Sequence, residues 1–319
     1  MLEKQHEPIA FELAQSVKTQ NQKILYLCDS DKDARLIKNE LNLFLSDSEI
    51  GYYPEREILP YDRFSTADSI IQERIKLLNS DKQNIKIIIT SCINLFEKLP
   101  SKNFFVARKN YKINDSLTIK DLTSSLEALN YERTDKVNAI NQYTIRGGVV
   151  DFYSGFQLWP IRVDFFGDQI DEIREFDPKT QNMTNKLSEF KLFSGSEICL
   201  DEESIGNFKN AWRNYFQNHD ERHCEIFQSL ASGQYPEGYE IYNPLIQNVD
   251  SNLIDYFSGF SLHKSNQIDQ VLSSHQAFVE ERYAEESIDS SRPILKPNDY
   301  NFTIPDLDAY LKSAEKIKL

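Results

Sequence analysis

The residues best placed to do chemistry are arginines and aromatics in one short stretch, PIRVDFF at 160–166. Read as a strand, its alternation puts Arg162, Asp164 and Phe166 on one face and Ile161, Val163 and Phe165 on the other. The second set has the composition of a core face. The first presents an arginine and a large aromatic to solvent, which is what the centre of a protein–protein interface is made of. Arg146 ends a neighbouring strand-like segment and can join them, while Arg162 has two candidate ion-pair partners inside the chain, Asp151 and Asp164.

Signatures of catalysis are missing. A phosphate-binding loop needs glycines that let backbone N–H groups close on phosphate, with a Lys and a Ser/Thr for the metal. Among 10 glycines, Gly233 and Gly238 have the right separation, but Tyr239-Glu240 follows where Lys-Ser/Thr is required. The first strand–helix junction reads Cys28-Asp29-Ser30-Asp31, with no glycine and with acids that repel phosphate. No GxSxG, HExxH or strand-linked GxGxxG occurs. The carboxylate pairs Asp171-Glu172 and Glu285-Glu286 read as solvated faces, and the Arg-Gly-Gly at 146–148 as a hairpin turn or bulge. Cys28, Cys92, Cys199 and Cys224 are scattered without CxxC spacing, and adjacent His223 and Cys224 point in different directions on a helix, so reduced thiols and no metal are expected. No catalytic residue and no cofactor is expected.

Composition narrows the partner. With 36 basic and 50 acidic residues the net charge is −14. Proteins that hold nucleic acid tightly carry a basic stripe that displaces phosphate counterions, and no dense Lys/Arg run is present, so a protein partner is expected. No apolar run approaches the roughly 18 residues that span a bilayer. The start, MLEKQHEPIA, lacks a secretory pattern, and a cytoplasmic location is expected.

The positioning elements fall into three segments. In 1–110, KILYLC (23–28), IGYYP (50–54) and IKIIITS (85–91) are strands alternating with helical stretches, the second helix capped at Ser65 with Asp68 three residues on, which makes an α/β layer unit. In 111–193 a helix (LTIKDLTSSLEALN) precedes short strands at 131–137, 142–147, 148–153, 160–166 and 169–176, separated by turns at Gly147-Gly148, Ser154-Gly155 and Gly167-Asp168. In 194–319 helices are expected at 208–217 and 266–286, with LIDYFSGF strand-like between them and a charged amphipathic tail after Asn301 without terminal punctuation, as in a piece of a longer protein.

Together these segments carry a resemblance. YYPEREILPYDRFSTADSIIQERIKLL (52–78) resembles the first domain of bacterial transcription-repair coupling factors (Mfd). YTIRGGVVDFYSGFQLWPIRVDFFGDQIDEIREFDPKTQ (143–181) is similar to their second domain and to the matching part of the repair helicase UvrB. AWRNYF (211–216) and GQYPEGYEIYNPL (233–245) look like the third piece of the UvrB-homology module. The resemblance implies a degenerate P-loop-type α/β domain (1a), an inserted β-rich domain (2) and a mostly helical domain (1b). It further implies that domain 2 binds the excision-repair protein UvrA, with Arg146 in TIRGG and Arg162 and Phe166 in PIRVDFF at the matching contact positions. UvrB's damage-probing hairpin has only a short loop and helix to match it here, near Pro60 to Ser80. Complete coupling factors continue with an RNA-polymerase-binding domain and an ATP- and Mg-dependent double-stranded-DNA translocase, and a C-terminal domain covers domain 2. The implied function is a non-catalytic adaptor; the alternative is a DNA-damage-binding or DNA-translocating ATPase domain.

Overall fold

A strand covered on both faces has no polar side to show, and three apolar runs build such strands. Every residue of β1 (Ile24–Cys28), β2 (Ile50–Tyr53) and β3 (Ile87–Ser91) is buried. The structure, a computed structural model, describes residues 6–20, 22–80, 82–105, 109–157, 159–217, 219–312 and 315–316. Of the stretches discussed above, residues 1–5, residue 158 in the 143–181 motif, and 313–314 and 317–319 in the tail lie outside the described residues.

The chain divides into two compact units, Met1–Lys102 with Glu237–Pro244 and Asn248–Leu319, and Asn103–Pro236 with Leu245–Gln247. Two units are fewer than the three segments read from the sequence, and 194–319 is divided between them. Within the first unit the sheet order is Glu315–Lys316, Ser261–Lys264, β1, β3, β2, paired in parallel throughout. Helices α1 (His6–Gln20) and α2 (Asp31–Leu41) bury Leu13, Val17, Ile37 and Leu41 in one cluster with Ile24, Tyr26, Ile87 and Ile89. Ser30 caps α2 by accepting from the Asp33 N–H at 3.2 Å. Helix α1 is absent from the sequence reading, although Ile9, Leu13 and Val17 recur at helical spacing and are buried.

Two local expectations in this unit are corrected. Helix α3 starts at Asp68 (Asp68–Asn79) after Ala67, with no side-chain cap, so Ser65 is not its N-cap. The Ser65 N–H instead reaches Glu237 at 2.7 Å, its hydroxyl donates to Glu240 at 3.1 Å, and it accepts from Gly238 N at 2.9 Å. Carboxylates distant in sequence satisfy it better than the helix end does. LIDYFSGF is not a strand: Leu253–Tyr256 is a helical turn closed by an Asn252/Asp255 capping box. The long helix Ile268–Glu286 falls within the expected 266–286, and the amphipathic tail holds the helix Ile304–Lys312.

The second unit is built on a six-stranded sheet. Its strands are β4 (Glu132–Arg133), β5 (Gln142–Arg146), β6 (Val149–Phe152), β7 (Ile161–Phe166), β8 (Gln169–Phe176) and β9 (Met183–Leu187), adjacent in chain order. All pairs are antiparallel except β4 with β5. Only two residues of the expected 131–137 strand pair, and β9 was not foreseen because MTNKL carries no inward apolar alternation. Two-residue turns at Gly147-Gly148 and Gly167-Asp168 have a left-handed first residue (φ 60° and 61°), the type II′ requirement that glycine meets without strain.

One sheet face is core: Tyr143, Val150, Phe152, Ile161, Val163, Ile170 and Ile173 are fully buried. Helix α4 (Ile119–Ala128), capped by Thr118, buries Leu122 and Leu126 and accepts the Tyr143 hydroxyl on Glu127. Helix α5 (Glu202–Tyr215) closes an aromatic cluster in which Trp212 lies 5.5 Å from Phe208, 4.6 Å from Phe216 and 5.3 Å from Phe227. Among the described residues no helix is long and apolar enough to cross a membrane, and all four cysteines are buried.

Candidate partner-docking face

Because the inner positions of β7 are claimed by the core, its alternate residues are forced outward. Ile161 and Val163 are fully buried, whereas Arg162 and Asp164 are half-buried and Phe166 is 81% exposed. Phe165 ends on the core side but is not fully buried. The register then decides who meets whom. Asp151 on β6 stands directly opposite Arg162, Val149 opposite Asp164, and Arg146 on β5 opposite Val149. On the other side Arg174 faces Arg162 and Glu172 faces Asp164.

Arg162 is held by three groups. Its Nε donates to Asp151 Oδ1 at 2.7 Å, its Nη2 to Asp151 Oδ2 at 2.8 Å and to Gln181 Oε1 at 3.3 Å. The guanidinium also lies 4.6 Å from the centre of the Phe176 ring. The paired, charge-assisted geometry is the strong form of this interaction, and the hydrogen bonds that Arg162 donates to Asp151 hold its pKa above its already high ordinary value. Of the two partners the sequence left open, Arg162 takes Asp151. Asp164 instead accepts from Arg174, whose Nε lies 3.4 Å from Glu172, and Glu172 also pairs with Lys186 at 2.6 Å.

Asp151 is 2% exposed, so a buried carboxylate underlies this face. Arg146 approaches the same carboxylate more loosely, its Nη2 3.8 Å from Asp151 Oδ2, with half its side chain in solvent. The Phe165 N–H donates to Gly148 O at 2.8 Å, which sets the Gly147-Gly148 turn beside the end of β7. Arg146 and Phe166 thus sit about 12 Å apart at one end of the sheet, two strand spacings across and one side-chain repeat along. Arg146, Arg162 and Phe166, named from the sequence, therefore share one face.

Sequence reasoning missed Arg174, Gln181 and Phe176, and named Asp151 only as one of two candidate partners of Arg162. No nucleophile–base pair lies among these residues. What the face offers is a half-exposed arginine, a solvent-facing phenyl ring and a network of paired charges, a set suited to binding a surface with a carboxylate beside an apolar hollow.

The segment that carries this face matches a known domain family. Residues 110–197 match the model of the UvrB interaction domain. The transcription-repair-coupling factor of Rickettsia typhi is 31% identical over 245 residues, covering 75% of this chain and 21% of the relative. That of Rickettsia conorii is 29% identical over 326 residues, covering 97% of this chain and 28% of the relative. That of Escherichia coli is 25% identical over 305 residues, covering 93% and 26%. The chain spans about a quarter of the length of the curated relatives it matches. With the six-stranded sheet and its outward Arg146, Arg162 and Phe166 all inside the matched segment, the chain is homologous over most of its length to part of the transcription-repair-coupling factors (Mfd) and contains a UvrB interaction domain.

Proposed function

We propose that this chain is a non-catalytic docking module of transcription-coupled DNA repair, which recruits UvrA to sites of stalled RNA polymerase through the face that carries Arg146, Arg162 and Phe166. The observation that carries it is Phe166, an 81% exposed phenyl ring in the UvrB interaction domain, on a face whose other charges are mostly paired with one another. An exposed aromatic ring on a face shared with an incompletely paired arginine has the composition of an interface hot spot.

The remaining parts of the proposal follow the same family. The chain is taken as domains 1a, 2 and 1b over 1–110, 111–193 and 194–319, acting in the cytoplasm, with ATP, Mg, RNA polymerase and double-stranded DNA engaged by other parts of the complete protein. The α/β unit is taken as a nucleotide-binding fold that has lost its nucleotide. Support comes from the β1–α2 junction, where a phosphate loop would place its anion at the helix N-terminus. Asp31 and Asp33 occupy that first turn; Asp31 accepts the Tyr52 hydroxyl at 2.7 Å and the Glu55 N–H at 3.1 Å. A cavity of about 360 Å³ in the same unit is lined by Glu55, Glu97 and Glu240 beside Arg56, a set that repels phosphate. A DNA-binding or translocating role is opposed by the net charge of −14.

Calorimetric titration of the chain with UvrA tests the proposal, run beside an ATPase assay and a titration with duplex DNA. Saturable UvrA binding without ATP turnover is the expected result. Salt-sensitive DNA affinity with no UvrA binding overturns it. Covering of the face by a distant C-terminal domain is tested by comparing the chain with the intact resting protein: equal UvrA affinities refute the cover.

A further inference from the structure

We infer that Arg162 is a positioning residue, one that occupies the buried carboxylate of Asp151 and so leaves Arg146 available to the partner; this rests on the docking function proposed above. Two arginines compete for one carboxylate that solvent barely reaches. Arg162 holds it through both oxygens at 2.7 and 2.8 Å, and Arg146 stands off at 3.8 Å. A buried charge stripped of its partner is strongly destabilising, so Asp151 recruits the nearest cation when Arg162 is removed. That cation is Arg146, which is long, half in solvent and already within ion-pair range. Drawn inward over Asp151, its guanidinium no longer points at a partner. Arg162 is itself poorly placed to bind a partner directly. Its Nε and Nη2 are committed to Asp151 and Gln181, one face is stacked on Phe176, and only 22% of its side chain is exposed.

A direct-contact role and a positioning role for Arg162 differ in what a second substitution does. Arg162→Met removes the cation while keeping a side chain that packs on the Phe176 ring. It weakens UvrA binding by roughly tenfold or more, as expected when a desolvated interfacial charge pair is lost. Adding Asp151→Val removes the carboxylate that captures Arg146, with a residue suited to a strand, and restores most of the lost affinity. In an Arg146→Ala background, Arg162→Met costs little further. A double variant as weak as Arg162→Met alone, or full additivity with Arg146→Ala, overturns the inference while leaving UvrA docking standing. Loss of binding by the unsubstituted chain overturns both.

A measurement on the unsubstituted chain guards against misfolded variants. Phenylglyoxal modification read by mass spectrometry should label Arg146 in the free chain and lose that label when UvrA is bound, while Arg162 stays unreactive in both states. Ready labelling of Arg162 in the free chain that UvrA then blocks identifies it as a direct contact and ends the inference.

Discussion

Replacing Phe166 with alanine separates binding from folding. A phenylalanine side chain has about 200 Å² to bury, and at 81% exposed about 160 Å² of it is in water in the free chain. At about 25 cal/mol per Å², covering all of it contributes about 4 kcal/mol to a complex. Partial coverage and the ordering of the ring reduce this, and a central interface aromatic typically retains at least about 2 kcal/mol. UvrA affinity should therefore fall between about 30-fold and 1000-fold. Stability should change by less than about 0.5 kcal/mol, because the ring contributes almost nothing to the core. Calorimetric titration gives the first quantity and urea unfolding of the free variant the second. An affinity within about threefold of the original, in a variant that unfolds at the same urea concentration, refutes the assignment of this face. So does a variant whose weaker binding merely tracks a loss of stability.

Three further outcomes test the architecture of the first unit. Arg74 is fully buried, pairs with Glu97 and donates to Pro54 O at 2.8 Å, so Arg74→Ala should cost about 3–5 kcal/mol in urea unfolding; an unchanged midpoint means the pair is not a core interaction. Gly238 sits at φ +70°, where an added Cβ would lie 2.9 Å from Arg292 Nη2 and 3.0 Å from Asp62 O, so Gly238→Ala should lower stability by about 1–3 kcal/mol in a thermal scan. Burial beside Phe96 pushes the His275 imidazole down to about 4. The unfolded chain therefore takes that proton first, near pH 6.5, and this contribution to stability is intact above about pH 6.5 and lost as pH falls towards 4. His275→Phe should flatten that part of the stability–pH curve; an unaltered slope shows the imidazole is not the group titrating.

Much of the fold was legible because its signals are local. β1, β2 and β3 are unbroken apolar runs, and the hairpins of the second unit are punctuated by glycines that two-residue turns require. The outward set Arg162, Asp164 and Phe166 followed from alternation alone, since one face of β7 had to supply Ile161 and Val163 to a core. Ser65 and LIDYFSGF were misread for the opposite reason. Glu237 and Glu240, more than 170 residues away in sequence, decide what Ser65 does. A capping box at Asn252 decides that Leu253–Tyr256 turns into helix where its apolar character alone reads as strand.

By itself the sequence determined which side chains face outward on β7 and that the chain carries no recognisable nucleotide loop. It left Arg162 between two carboxylates, because alternation assigns a face but not a neighbour. Only tertiary structure made that choice, through the register that sets Asp151 opposite Arg162 and Glu172 opposite Asp164. Register depends on every strand of the sheet burying its apolar set at once, so pairing is a property of the assembled sheet and not of any one strand. That same register leaves Arg146 loosely held and Phe166 in solvent, the two features on which the proposed docking function rests.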